Sequence, residues 1–320
     1  MVFNMKRMVK LGFIILGIMV IVPVFAIVVF RENRVIETPA EVITTSAETI
    51  YTAPPAVRLK SGEIIPMRDY VIGAVFSEMS ADFPEEALKA QALTAFTSIV
   101  RETVKHASDP YDIDDDFYIG YFTEGMARAF YTDGYEKAYE KIANAVDEAM
   151  GNVIVFDGEP IAAPSFDCFT GKTETAPGIP YLTSVESPGD VYSPFYQTTE
   201  SFTEAEIAAR AKTEADIDFD GELEVLTKTP AGTVLTLRAG DKIISGEIFA
   251  EILNLRSPAF VIFTDNTTER INITTLGFGN GIGMSKYGAK YMAEQGSSYK
   301  DIVLHYFTGV RIDKILIESS

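Results

Sequence analysis

RDYVIGAVFSEMSADFPEEALKAQALTAFTSIVRE, residues 68–102, is the stretch whose reading decides the fold. Between Asp69 and Asp82 it carries one charged residue, Glu78. Val71, Ala74 and Val75 recur at i, i+3 and i+4, and Glu78 takes the i+7 place on the same stripe. Ile72, Phe76 and Met79 make the neighbouring face apolar as well, so this helix shows little of itself to water. The spacing thus puts a carboxylate on a face expected to be buried. Burial disfavours the charged form of a carboxyl and lets it donate a proton near neutral pH. The other reading of Glu78 is an acid at a helix end that reaches water or caps the next helix.

Asp82, Pro84, Glu85 and Glu86 then read as a helix start, with an acidic N-cap, an early proline and acids in the first turn. The second helix is predicted over 84–106, with Leu88, Ala92, Ala95 and Ile99 inward and Lys89 and Glu102 outside. Gln91 adjoins the inner stripe, so its amide is expected to face the first helix and Glu78. A buried amide needs a partner, and a polar ligand would be one.

The whole chain bounds the possibilities. It has 320 residues, 47% of them hydrophobic, a net charge of −19 and a mean hydropathy of +0.11. So acidic a chain argues against nucleic acid or an anionic membrane surface as the main partner. A single cysteine, Cys168, rules out an intrachain disulfide, and two histidines, His106 and His305, make a structural zinc cluster improbable. Residues 11–30, LGFIILGIMVIVPVFAIVVF, are uncharged and long enough to span the ~30 Å hydrocarbon core. Lys6, Arg7 and Lys10 precede them, which predicts a single-pass anchor with a cytoplasmic N-terminus and the bulk of the chain outside. A cleaved signal peptide is the rival, which the charged RENR immediately afterwards disfavours.

The expected organisation is a tail and transmembrane anchor over 1–34, an extended Thr/Ala/Pro/Glu-rich linker over 35–57, and one domain over 58–316. The fold class is α+β: a helical core packed with β-hairpins and a small β-rich subdomain near 203–275, after the transmembrane helix. Residues 58–65 read as a strand, 109–122 as a solvated acidic loop, and 133–150 as an amphipathic helix. A hairpin turns at Asp157-Gly158. Helices at 203–212 and 246–254 alternate with strands near 223–228, 233–238, 259–264 and 269–275. Glycines at 277, 279, 281 and 283 lead into a helix from about Ser285, and Ser298 opens a closing helix in capping-box style. A glycine loop entering a helix serves tight packing or a ligand; this one lacks the Gly-Lys-Ser/Thr ending of a phosphate loop.

DYVIGAVFSEM…FPEEALKAQALTAFT, PYLTSVESPGD…SP (180–194) and GFGNGIGMSKYGAKYMAEQG (277–296) resemble, in this order, the catalytic domain of the stage II sporulation protein D family, cell-wall lytic transglycosylases that include amidase-enhancer proteins. The resemblance implies that Glu78 is the catalytic acid/base. It implies that Gln91, Ser285 and Tyr287 position sugar, with Tyr181 and Asp190 lining the groove. It further implies peptidoglycan glycan strands as substrate, and a membrane-anchored amidase and a membrane scaffold protein as partners, in spore engulfment. The chain departs from the family at several places. Phe96-Thr97-Ser98 replaces an Arg-Thr-Tyr run. GHGVGMSQYGA is answered with Asn280 for His and Lys286 for Gln, and a loop like HSTSGG reads FDCFTGK. Some members hold zinc near that loop; the histidine is missing here, so no metal and no cofactor is expected.

Two classes of function follow. One is a lytic transglycosylase, in which a single carboxyl protonates the glycosidic oxygen and then helps the C6 hydroxyl close onto C1 without water. The other is a non-catalytic glycan-binding or amidase-activating module. A hydrolase using Asp190 or another second acid about 5–10 Å from Glu78 is a third reading.

Overall fold

The computed structural model describes residues 51–318 apart from 60, 106–119, 220–221 and 266. The expected anchor, most of the linker, His106 and most of the acidic stretch 109–122 lie outside the described residues. Among the described residues no helix is long and apolar enough to cross a membrane.

Strand β1 (Tyr51–Ala53) is followed by Pro54-Pro55 and β2 (Ala56–Arg58), which pairs antiparallel with β3 (Ile64–Pro66). These strands correct the linker, whose last residues belong to the fold. Ala53 and Val57 are buried in the main core, and that burial holds an otherwise linker-like composition in place. They also correct the single strand expected over 58–65, which is a hairpin. Helix α1 (Met67–Glu78) follows at once, with Val71, Ala74, Val75, Ile72 and Phe76 all buried as the periodicity requires.

Helix α2 (Glu85–Lys105) matches its expected bounds within a residue. Helix α3 (Glu124–Tyr131), capped by Thr123, was not foreseen, and α4 (Tyr135–Ala149) lies where an amphipathic helix was predicted. Strands β4 (Asn152–Phe156) and β5 (Glu159–Pro160) form the hairpin, with Asp157 and Gly158 both at positive φ in the two-residue turn. Strand β6 (Ser165–Phe166) is short.

The β-rich part runs through β7 (Gln197–Phe202), α5 (Glu204–Ala215), β8 (Leu223–Lys228), β9 (Val234–Ala239), β10 (Lys242–Ile244), α6 (Gly246–Leu253), β11 (Phe260–Asp265) and β12 (Arg270–Leu276). Its two antiparallel sheets, ordered β10-β9-β8 and β11-β12-β7, share a core of Phe202, Leu237, Phe249, Leu253, Phe260 and Ile273. Each such side chain contributes roughly 1.5–3 kcal/mol when fully buried. The chain ends with β13 (Met284–Ser285), α7 (Lys286–Glu294), α8 (Tyr299–Tyr306) and β14 (Arg311–Ile317). Ser298 and Asp301 make the reciprocal capping box expected for α8.

The main core is built round α2. Helices α1, α4, α7 and α8 and strand β4 all pack on it. That enclosure corrects the expectation that Lys89 and Glu102 stand outside: both are buried. Lys89 remains charged inside because Glu86 lies 2.9 Å and Glu148 2.7 Å from its ammonium. The four-stranded sheet of this part is ordered β1-β14-β4-β5, with β1 and β14 parallel.

Candidate active site

The site is assembled by a two-residue ladder. Strands β6 and β13 run parallel in the register Ser165–Met284 and Phe166–Ser285. The next residue on each strand is therefore a neighbour of the other, and these are Asp167 and Lys286. The Tyr287 N–H donates to the Asp167 carbonyl at 3.1 Å, which fixes the pair. Lys286 Nζ lies 3.1 Å from Asp167 Oδ1 and 2.6 Å from Glu78 Oε2, at the end of α1. Those two distances bound the gap between the carboxylate oxygens, which is no wider than in two-carboxylate glycosidases, about 5–9.5 Å.

Glu78 is the last residue of α1, with its side chain 21% exposed, while Lys286, the first residue of α7, is 8% exposed overall. A carboxylate at a helix C-terminus and an ammonium at an N-terminus each oppose the local helix dipole; facing one another, they offset it. Burial pulls the Lys286 ammonium toward losing its proton, but the charges and hydrogen bonds of Glu78 and Asp167 outweigh that, and its pKa lies above the ordinary lysine value. Lys286 is a fixed cation at neutral pH. Of the two readings of Glu78, the structure bears out the acid at a helix end: it closes α1, is partly buried and ion-paired, and keeps some exposure to solvent.

The glycine loop delivers Lys286 by packing. A Cβ on Gly277 would press on the backbone of Cys168 and Phe169, and one on Gly283 would strike the Pro164 carbonyl, both glycines standing at positive φ. The loop therefore lies flat against residues 164–169, the segment that carries Asp167. Gly283→Ala is expected to destabilise the domain by about 1–3 kcal/mol, through the left-handed backbone and the clash together. Thermal unfolding checks this; an unchanged midpoint would contradict it.

Of the six residues expected in the groove, two reach the site. Glu78 does, and so does Tyr287, partly exposed one residue beyond Lys286, its ring edge-on to Phe83 at 5.3 Å. Ser285 is buried: it caps α7 by accepting from the Gly288 N–H and donates to Asp190 Oδ1 at 2.5 Å. Asp190 is fully buried and also accepts from Ser187 Oγ (2.8 Å), Phe169 N–H (3.0 Å) and Gly171 N–H (3.2 Å). Burial pushes its carboxyl above the usual range, against those four donors. Ser285 and Asp190 are thus a knot beneath the site and not sugar contacts. Tyr181 is buried against Phe156 and accepts from the Ala162 N–H at 3.1 Å, away from Glu78. Gln91 is buried and donates to Ser165 Oγ at 3.2 Å, and its carbonyl oxygen has no hydrogen-bond partner among the described residues. It turns to β6 rather than to Glu78, because α2 presents that face to the β6–β13 ladder.

Sequence reasoning missed Lys286 and Asp167 as functional groups. The signal was present: a lysine in the motif place of glutamine and an aspartate inside the altered loop. It also missed an aromatic ledge. Tyr287 and Tyr291 are four apart on α7, and Tyr192, 70% exposed, stacks on Tyr291 at 5.7 Å and 15°.

The residues present do not fit a zinc ion. Asp167 is already ion-paired with an ammonium, and Cys168 is buried, with its thiol pKa pushed up by desolvation. Among the described residues no three His, Cys, Asp or Glu side chains converge.

Comparison with known proteins shows the family. The family described as Stage II sporulation protein matches residues 57–156, which hold Glu78 and Gln91. Stage II sporulation protein D of Bacillus subtilis (strain 168) is 34% identical over 326 residues, covering 94% of each chain. That of Bacillus amyloliquefaciens is 41% identical over 265 residues, 79% of this chain and 76% of that one. The amidase enhancer of Bacillus subtilis (strain 168) is 47% identical over 45 residues, 14% of this chain and 6% of that one. By these matches the chain is a sporulation protein with an α+β domain. It belongs to the stage II sporulation protein D family.

Proposed function

We propose that this protein is a peptidoglycan lytic transglycosylase acting on peptide-stripped glycan strands, with Glu78 as its single acid/base. The observation that supports this is the placement of Glu78. Its carboxyl ends a buried helix, opens on solvent at one face and is held by a buried cation at 2.6 Å. In its protonated form Glu78 gives its proton to the glycosidic oxygen as the C1–O bond breaks. The C6 hydroxyl then bonds to C1 and returns its proton to Glu78, so a 1,6-anhydro end forms, no water is consumed and the acid is regenerated. With net charge −19 the chain gains nothing from anionic strands at long range, so local contacts must hold the sugar. The aromatic ledge of Tyr287, Tyr291 and Tyr192 offers such contacts. Tyr192→Ala is expected to weaken strand binding about fivefold, leaving stability unchanged because the ring is exposed. Fluorescence-polarisation titration with labelled strands checks this, and unaltered affinity would remove the ledge from the binding face.

In this reading residues 11–30 anchor the protein in the cell membrane with the domain outside. Its working partners are then a membrane-anchored amidase that strips the stem peptides and a membrane scaffold protein. A second reading follows from the likeness to the amidase enhancer: a glycan-binding or amidase-activating module that does not cleave. Incubating the purified full-length chain with stripped strands, with and without EDTA, and weighing the products by mass spectrometry separates these. Anhydro ends that survive EDTA support the transglycosylase. Reducing ends mean hydrolysis, with Asp167 the second acid. Bound but intact strands favour the module.

A further inference from the structure

We propose that Asp167 is a positioning residue for Glu78: by sharing the Lys286 ammonium it gives that cation a second counter-charge, which lets Glu78 take up a proton. The inference rests on Glu78 being the acid described above. A lysine this buried needs a carboxylate beside it, since an unpaired ion in a protein interior costs several kcal/mol. If Glu78 were its sole partner, each protonation of Glu78 would strand the cation. Asp167, 3.1 Å away and one residue beyond the opposite strand of the ladder, removes that obstacle. The proton enters at the exposed face of Glu78 while the ammonium stays neutralised from the other side.

Among the described residues, the charged groups facing the pair come from three elements. Glu78 comes from the end of α1, Asp167 from the loop after β6, and Lys286 with the Tyr287 phenol from α7. The Cys168 thiol and the Tyr287 phenol both feel the Asp167 charge, and Asp190 lies hydrogen-bonded below through Ser285. Among the described residues, Lys286 is the cation ion-paired with both carboxylates. Asp167 and Lys286 also lie in two of the three stretches where the sequence departs from the motifs it resembles, and in the fold those two departures touch.

The test follows the Glu78 side-chain carboxyl by 13C NMR across pH in the full-length chain, its signal identified by its loss in Glu78→Gln. Asp167→Asn is expected to move the midpoint to lower pH by about one unit, a tenfold weaker hold on the proton. Lys286→Gln is expected to move it the other way. In the Lys286→Gln background, Asp167→Asn is expected to shift it less than in the wild type, because Asp167 acts through the lysine. The kcat–pH profile of Asp167→Asn should move down with the midpoint, losing about tenfold in kcat at neutral pH with KM unchanged. Asp167→Ser gives a second neutral replacement should Asp167→Asn not fold, and Asp167→Glu should restore the wild-type profile. A midpoint unmoved by Asp167→Asn or Asp167→Ser overturns the proposal. A wild-type chain that cleaves nothing overturns the transglycosylase reading alone, since the NMR midpoint still decides the role of Asp167.

Discussion

Glu78→Gln is expected to lower strand cleavage by about 10²–10⁴-fold while leaving strand binding within a factor of two or three. Gln keeps the shape and the polar end of the side chain but has no proton to give to a glycosidic oxygen. The fold should tolerate it. Glu78 already reaches water on one face, and Lys286 keeps Asp167 as a counter-charge at 3.1 Å. The measurement is single-turnover release of anhydro-ended fragments, beside a thermal melt and a binding titration. Cleavage at the wild-type rate would remove Glu78 as the acid. Wild-type and variant both binding without cleaving would turn the site into a reading surface for stripped glycan.

Asp190→Ala is expected to cost about 3–5 kcal/mol of stability, enough to unfold a large share of a domain whose total is typically 5–15 kcal/mol. Its carboxylate is the acceptor for four donors, three buried and one partly so: the Ser187 and Ser285 hydroxyls and the Phe169 N–H, and the Gly171 N–H. Removing it leaves the Phe169 and Gly171 N–H groups without their acceptor, while the Ser187 hydroxyl keeps the Tyr306 hydroxyl at 2.9 Å and the Ser285 hydroxyl keeps the Asp167 carbonyl at 3.3 Å. Each unsatisfied buried donor costs about 1–3 kcal/mol, with less than full additivity because they share one site. The damage would reach the site as well, since Ser285 caps α7 just before Lys286. Urea unfolding should show the midpoint lowered with the slope unchanged. Asp190→Asn, which restores part of the acceptor capacity, should recover some of the loss. A variant as stable as the wild type would mean that the knot is not what joins these loops.

Much of the fold could be read in the chain because its signals are local. The stripe of Val71, Ala74 and Val75, the Asp157-Gly158 turn and the Ser298–Asp301 capping box each state their own geometry within a few residues. The hidden parts needed partners far away in sequence. Tyr51–Ala53 looked like linker because its strand partner lies more than 250 residues on, at Ile315–Ile317. Lys89 looked exposed because only tertiary packing surrounds α2 on every side. At the site, Glu78 was legible as a lone acid on an apolar helix. Its ion pair was not, because Lys286 reaches it across 208 positions through the β6–β13 register. Asp190 and Ser285 were read as ligand contacts because polar residues in a loop motif look the same whether they face a sugar or each other. Burial decided it.

The sheet order β1-β14-β4-β5 carries one more consequence. The final strand of the chain is an interior strand of its sheet, joined to the first described strand on one side and to β4 on the other. Until β14 pairs with both of them, β1 and β4 therefore stay open edges that await a segment far along in sequence. Closing this sheet thus requires contacts of long sequence separation, a topology that slows folding whatever the strength of the local elements.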